Sequence, residues 1–423
     1  LVNARVIPVD GPEIERGYVI MHDGKIAEVG PGDAPETERT IDCAGKVLMP
    51  GLVDTHSHLG GFGGADRSGP IQPGVRIRDS LNVRSSGFKR ALSGGLTTLN
   101  VMPGSGHLSS GQTAYLKLRL AGDVTTIDDI TIFDDEGQPT GGLKMANGTN
   151  SQRADEGTFP GTRGRSAFLV REQFIKAQEY MAKIERAGDD ESKMPARDLD
   201  LETFVEVLKG ERVVHHHTHR HDDIITVLRL AKEFGFRVVL HHVSDGWLVA
   251  DEIAEAGVGV SAILIDAPGG KHEAVGLRFE TPAILEAAGV PTVVHTDDWI
   301  TDSRLFLRMA AFAIRGGLRR EGALKAVTLP GAELLDLDHR LGSLTEGKDA
   351  DIIVLSGDPF SAYTLVEQTW VEGQLAFDRS NEEDLLFATG GYGAANDTEP
   401  YFCCYDTLMK QAANGQTHIG GGH

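Results

Sequence analysis

Cysteine is nearly missing from this chain, with three among 423 residues and two of those adjacent at Cys403 and Cys404. Such a set builds no disulfide framework, so a reducing compartment, the cytoplasm by default, is expected. Positive charge is also short. Lys and Arg number 41 against 62 Asp and Glu, a formal charge of −21, which speaks against nucleic acid or an anionic membrane as partner. No apolar run reaches the roughly 18 residues that span a bilayer. No Gly-x-Gly-x-x-Gly follows the first strand, which leaves a dinucleotide fold without support. The chain begins at Leu1 rather than Met, so an N-terminal piece is taken to be absent, and a removed export signal stays open.

What is present suits a globular enzyme. Hydrophobic residues make up 40%, and the length exceeds that at which one core usually keeps growing, so one large and one small domain are expected. Short strands and turns fill the first fifty residues: Leu1 to Pro8, Gly17 to His22, Lys25 to Val29 and Thr40 to Leu48. The same texture returns at Asp349 to Leu355 and Val366 to Asp378, which predicts one small β domain built from both chain ends. Between them strand and helix patterns alternate. A helix over Asp79 to Leu92 precedes a strand at Leu96 to Val101. Asp222 or Asp223 caps a helix ended by Gly235, and strands follow at Arg237 to His242, from Val258, and at Pro291 to His295. Repeated βα units predict a (β/α)8 barrel over 50–339, an α/β architecture, with an open doubly wound sheet as the alternative.

Candidate ligands end several of these strands. In Gly51-Leu52-Val53-Asp54-Thr55-His56-Ser57-His58, residues two apart share a face, so His56 and His58 present two imidazoles to one point, with Asp54 below them. His215, His216, His217, His219 and His221 follow Val213-Val214 and precede a helix. A surface metal-scavenging run is one reading. The strand context favours the mouth of a site, with one or two of His215, His217 and His219 reaching a metal. His242 ends the next strand as the better ligand, while His241 is expected to face the surrounding helices. Val293, His295 and Asp297 share a face, which makes Asp297 an inward carboxylate, His295 a deeper supporting residue and Asp298 a loop or capping residue. Lys144 lies between apolar Leu143 and Met145. It reads either as a packed surface lysine or as a buried amine whose lowered pKa makes it nucleophilic towards carbon dioxide.

Together these residues resemble the amidohydrolase superfamily, in particular its imidazolonepropionase-like and metal-dependent dipeptidase (prolidase-like) branch. The likeness runs from about Leu1 to Asp378. Gly45 to His58 is similar to the family's opening signature, Gly94-Gly95-Leu96-Thr97-Thr98 to its second-strand element, and Leu341 to Asp351 to the exit into its composite β-sandwich. The resemblance implies a TIM barrel over 50–339 and a composite β-sandwich from 1–49 plus 340–380; the extension at 381–423 lies outside it and reads as a lid, an oligomer contact or a partly disordered tail. It implies metal ligation by His56, His58, Lys144 as a carboxylated bridge, His217, His242 and Asp297, although His241 and Val243 replace the glutamate and glycine that usually flank the sixth-strand histidine. The cofactor would be zinc, two ions rather than one, sharing a hydroxide. Asp297 would shuttle the proton and His219 would steady the oxyanion or substrate. Arg153 and Arg220 would grip a substrate carboxylate, or else remain solvated. The implied activity is hydrolysis of an amide or peptide-like C–N bond in a small molecule such as an N-acyl amino acid or dipeptide, by a homo-oligomer. A mononuclear deaminase or cyclic-amide hydrolase is the alternative, and a non-catalytic scaffold the second.

Overall fold

A computed structural model describes residues 1–60, 68–153, 157–264, 271–298 and 300–390. Both ends of the chain meet in one seven-stranded sheet. From edge to edge its strands are Gln374–Asp378, Val366–Val371, Ile352–Leu355, Val47–Pro50, Ala4–Val6, Ile14–His22 and Lys25–Pro31. Val47–Pro50 runs antiparallel to Ile352–Leu355 and parallel to Ala4–Val6, so the two ends interlock at the sheet's centre. Asp23-Gly24 makes the tight return after His22, with φ of 48° and 75°, the left-handed pair that a two-residue hairpin requires. Val6, Val19, Ile26, Leu48, Ile352, Val354 and Trp370 pack into one core on this sheet. Of the expected strand Thr40 to Leu48, only the segment from Val47 joins a ladder.

From Pro50 the backbone passes through Gly51 straight into the strand Leu52–Ser57. A Cβ on Gly51 would lie 2.3 Å from Thr97 Oγ1, so glycine is what lets the chain cross there. The central strands form two arcs. One is Thr292–Val294, Gly259–Ala262, Val238–His242, Val214–Thr218, Leu143–Ala146 and Ser109–Gln112; the other is Leu52–Ser57, Leu96–Val101 and Ala114–Lys117. Their strands are buried on both faces, as helix-covered parallel strands are. The arcs touch where Asp297 N donates to His56 O (2.9 Å) and His58 N to Asp298 O (3.0 Å), and again where Thr113 N donates to Gly142 O (2.8 Å).

The expected run of eight uniform βα units needs correction at its third position. Ser109–Gln112 and Ala114–Lys117 run antiparallel to their neighbours, and the Ile130 to Phe133 stretch makes isolated bridges rather than a named strand. Only Met102 to Leu108 separate Leu96–Val101 from Ser109–Gln112, too short a link for a crossover helix, so the chain returns antiparallel. Local boundaries shift as well. Asp79 to Leu92 resolves into a 3-10 turn, Ile77–Ser80, and the helix Ser86–Ser93. The helix His221–Phe234 has Arg220 at its N-cap, with Asp222 and Asp223 in the first turn rather than capping it.

Helices Arg163–Ala187, Leu199–Leu208 and His221–Phe234 cover the larger arc, where Phe174 stacks on Phe236 at 4.9 Å and meets Phe204 edge-on. A buried ion cluster ties the end-built sheet to the smaller arc. Lys117 Nζ pairs with Asp349, with Asp351 at 3.0 Å and with Glu372 at 3.5 Å, while Lys25, Arg119 and Arg340 serve the outer side of the same carboxylates. Of the 381–423 extension, the helix Glu382–Thr389 packs beside Ser86–Ser93, with Lys89 Nζ 5.2 Å from the Phe387 ring centre. The rest of that tail, Tyr401 to Tyr405 included, lies outside the described residues. Among the described residues no helix is long and apolar enough to cross a membrane.

Candidate metal centre

Strand ends from both arcs deliver imidazoles to one place. His56 is fully buried on Leu52–Ser57, and His58 follows just beyond its end. Their Nε2 atoms lie 3.4 and 2.9 Å from Asp297 Oδ1. Asp297 sits after Thr292–Val294 with φ of 51°, a left-handed conformation costly for a non-glycine residue and held here by its backbone bond to His56 O. Lys144 points inward from Leu143–Ala146, wholly buried, with Nζ 3.0 Å from His56 Nε2 and 2.9 Å from Met102 Sδ. His217 and His242 face each other at 4.3 Å between ring centres, and His242 Nδ1 lies 3.9 Å from Asp297 Oδ2. The six residues expected as ligands, far apart in sequence, are therefore neighbours.

Burial sets the protonation of the cluster. It holds His56, His217, His219, His241 and His242 well below the ordinary imidazole range, with neighbouring imidazoles and lysines adding to the effect. Each is therefore a neutral ring with a lone pair to offer. Burial likewise draws the Lys144 amine down to about 7, against the pull of Asp297. Burial opposes the charge on Asp297 too, but the hydrogen bond from His58 and the nearby positive groups outweigh it, so the carboxyl lies below its usual value.

The donors suit a divalent cation. Three overlapping groups, His56/His58/Asp297, His56/His242/His295 and His217/His219/His242, each bring their ligand atoms within 4.8 Å of one another. His242 Nε2 is buried without a hydrogen-bond partner, the kind of orphaned atom that a metal satisfies. Nitrogen and carboxylate oxygen are the ligands zinc takes.

The supporting residues behave unevenly. Asp54 accepts from the backbone N of His56 and Thr296 (both 3.2 Å) and from the Thr296 hydroxyl, so it fixes main chain rather than an imidazole. Burial raises its carboxyl to about 7. His295 bonds Ser261 Oγ at 2.7 Å and His242 Nδ1 at 3.2 Å. His219 stands beside His242 at 4.8 Å, with Nδ1 on Ser244 Oγ and Nε2 2.9 Å from Lys271 Nζ. Asp298 accepts from Ser303 in the following loop, as its loop role implied. Arg153 lies over the Phe159 ring at 4.8 Å and against Gly106, in the loop layer. Arg220 is not brought in: its fork is engaged by Asp222 at 3.0 and 2.8 Å.

His241 is a correction. Val238 and Leu240 are the residues that pack with the helices, among Val227 and Ile253, so His241 turns inward, with Nδ1 3.1 Å from His56 Nδ1 and Nε2 2.9 Å from His215 Nδ1. The left-handed backbone at His242 (φ 74°) and Val243 (φ 43°) breaks the alternation, so consecutive rings both face the cluster. Sequence reasoning also passed over Lys271, whose Nζ lies 3.1 Å from His217 Nε2, and Met102, whose carbonyl meets His58 Nδ1 at 2.7 Å. Both follow the ends of central strands, the one signal that marked them.

Such a donor set at the C-terminal ends of strands is that of a metal-dependent hydrolase. Residues 47–378 match the amidohydrolase family model, and the chain belongs to that family. Its structure is similar to that of an amidohydrolase from Thermotoga maritima MSB8, with TM-score 0.84 and 33% identity, covering 89% of this chain and 99% of that one. An imidazolonepropionase from Caldanaerobacter subterraneus subsp. tengcongensis is 25% identical over 392 residues, 81% of this chain and 84% of that protein. Amidohydrolase tasK of Hapsidospora irregularis is 26% identical over 390 residues, 86% of this chain, which spans only 39% of that protein's length. The two arcs thus belong to a TIM-barrel-containing α/β fold, and the protein is a hydrolase of C–N bonds.

Proposed function

We propose that this hydrolase cleaves the amide or peptide-like bond of a small N-acyl amino acid or dipeptide. The observation that carries the reading is one carboxylate, Asp297, within 3.9 Å of His56, His58 and His242 at the strand ends. In this reading His56, His58 and Asp297 would hold one zinc ion and His217 and His242 a second, with Lys144, once carboxylated, a further anionic ligand. Bound there, the metal supplies an acidified water and a polarised carbonyl. Asp297 takes the proton from the attacking water and returns it to the leaving nitrogen, a task open to a carboxylate that its neighbours keep ionised. Lys144, neutral in part near pH 7, is a nucleophile for carbon dioxide: its nitrogen bonds the carbon and releases a proton. His219 steadies the carbonyl oxygen, and Lys271, within reach of His217 and His219, favours a substrate bearing a carboxylate. Arg153 at the loop layer is a further carboxylate contact. We assign the end-built sheet to 1–49 plus 340–380 and the catalytic unit to 50–339.

A second reading, a mononuclear cyclic-amide hydrolase or deaminase, draws on the imidazolonepropionase relative and on Lys144 being bonded to His56 as a plain amine. Zinc-loaded protein assayed against N-acyl amino acids, Xaa-Pro and Xaa-Arg dipeptides, with metal counted per chain, decides between them. Two ions and amide turnover are expected. One ion, with turnover only of cyclic amides or amines, overturns the first reading.

A further inference from the structure

A line of buried rings leads away from the metal cluster. His56 Nδ1 lies 3.1 Å from His241 Nδ1, His241 Nε2 lies 2.9 Å from His215 Nδ1, and His215 Nε2 lies 2.9 Å from the Tyr115 hydroxyl. The four side chains come from four strands, Leu52–Ser57, Val238–His242, Val214–Thr218 and Ala114–Lys117. His56, His241 and His215 have no solvent exposure and Tyr115 has 4%. Water is therefore not at hand to replace a lost partner, and an unsatisfied N–H here costs a buried donor in full.

Each contact holds one hydrogen between its two heavy atoms, and a neutral imidazole has one N–H and one lone pair. The choices are linked. A lone pair on His56 Nε2 requires its hydrogen on Nδ1. His241 Nδ1 must then accept, which places the His241 hydrogen on Nε2. His215 Nδ1 must accept that one, and the His215 hydrogen on Nε2 ends on the Tyr115 oxygen. The opposite polarity begins with the Tyr115 hydroxyl donating to His215 and finishes with a hydrogen on His56 Nε2, the atom that faces Lys144 and Asp297. Only the first polarity leaves His56 Nε2 free to bind a cation. It is also the polarity in which His56 Nε2 accepts a hydrogen from Lys144 Nζ at 3.0 Å.

We infer that Tyr115, His215 and His241 are positioning residues that lock His56 in its Nδ1-protonated tautomer and so hold its Nε2 lone pair ready for metal. The proposal rests on the reading of His56 as a ligand. Outer partners of ligating histidines commonly matter by about 10–100-fold in metal affinity. Here the partner is not one group but a file of three, and a change at its far end, two rings away from His56, reaches the ligand.

The test reads the tautomer directly. In zinc-free protein with 15N-labelled histidine, His56, assigned by its absence from His56→Gln, should show hydrogen on Nδ1. In His241→Phe the His56 signal should move to the Nε2-protonated pattern, and zinc affinity measured by chelator competition should fall about 10–100-fold. Tyr115→Phe removes only the distant acceptor and should shift the same signal part of the way, with a several-fold loss of affinity. It also keeps the test alive if His241→Phe fails to fold. An Nε2-protonated His56 in the zinc-free parent, or an unmoved His56 tautomer in the folded variants, overturns the lock. Parent-like zinc affinity in His56→Gln overturns the ligand reading itself, which separates the two failures.

Discussion

Replacing Lys117 by methionine tests whether the end-built sheet and the smaller arc are held together by buried charge. Lys117 is fully buried, and its ammonium serves Asp349, Asp351 and Glu372. Removing one member of a buried ion pair commonly costs about 3–5 kcal/mol because the partner is left uncompensated. In this cluster the partners fare differently. Asp349 keeps Lys25 at 2.6 Å and Arg340 at 2.8 Å, and Glu372 keeps Arg119 at 2.7 Å. Asp351 is left with the backbone N–H of Glu372 at 2.9 Å. The penalty therefore concentrates on one carboxylate, and the lower figure, about 3 kcal/mol, is expected for Lys117→Met at pH 7. Burial already raises the Asp351 carboxyl, and Lys117 opposes that rise. Without Lys117 the folded state takes up a proton that the unfolded chain does not hold, so stability recovers as pH falls through the raised value. Urea unfolding of metal-stripped parent and variant at pH 7 and pH 5 should show a deficit that narrows at the lower pH. A deficit below about 1 kcal/mol, or one equal at both pH values, refutes the reasoning.

Asp297→Asn keeps the shape of the side chain but cannot carry a proton, so turnover should drop by about 10²–10⁴-fold while some metal is retained; an active Asn variant removes the shuttle role. Lys144→Ala should reduce bound zinc from two ions per chain to one by elemental analysis, and two tightly held ions in that variant would refute the bridge. Asp349 makes an acid-side prediction. Burial opposes its charge, but Lys117 and its other cationic partners hold the carboxyl down at about 2, below its ordinary range. The depressed group stabilises the fold above its unfolded value, and that contribution, about 2 kcal/mol, disappears as pH falls from about 4 through 2. Acid unfolding of Asp349→Asn should lack that component of the slope.

Much of the centre was legible because strand periodicity states which side chains share a face. His56 with His58 and Asp297 two residues beyond His295 could be placed that way, whereas Lys144 between Leu143 and Met145 entered through the family resemblance. What the pattern did not place has separate causes. His242 joins His241 at the cluster because His242 and Val243 adopt left-handed conformations, which no hydrophobic pattern announces. Arg220 pairs with Asp222, a local choice between ion pair and open mouth that depends on side-chain packing. The antiparallel strand Ser109–Gln112 was hidden for a different reason: its polar, glycine-containing sequence reads as a loop. The relay from Tyr115 to His215 joins residues 100 positions apart, a pairing that comes from tertiary structure alone.

The interlocking of the chain's two ends sets an order of assembly during synthesis. Val47–Pro50 flows into the strand bearing His56, yet its partner Ile352–Leu355 leaves the ribosome roughly 300 residues later, a delay of about 15–60 s at ordinary translation rates. Throughout that interval the leading segment has an unpaired edge, and histidines from the middle of the chain appear before the sheet that steadies the first pair can close. The end-built sheet therefore closes only late in translation, and a ribosome stalled before Ile352 would expose that open edge to chaperones or to neighbouring chains.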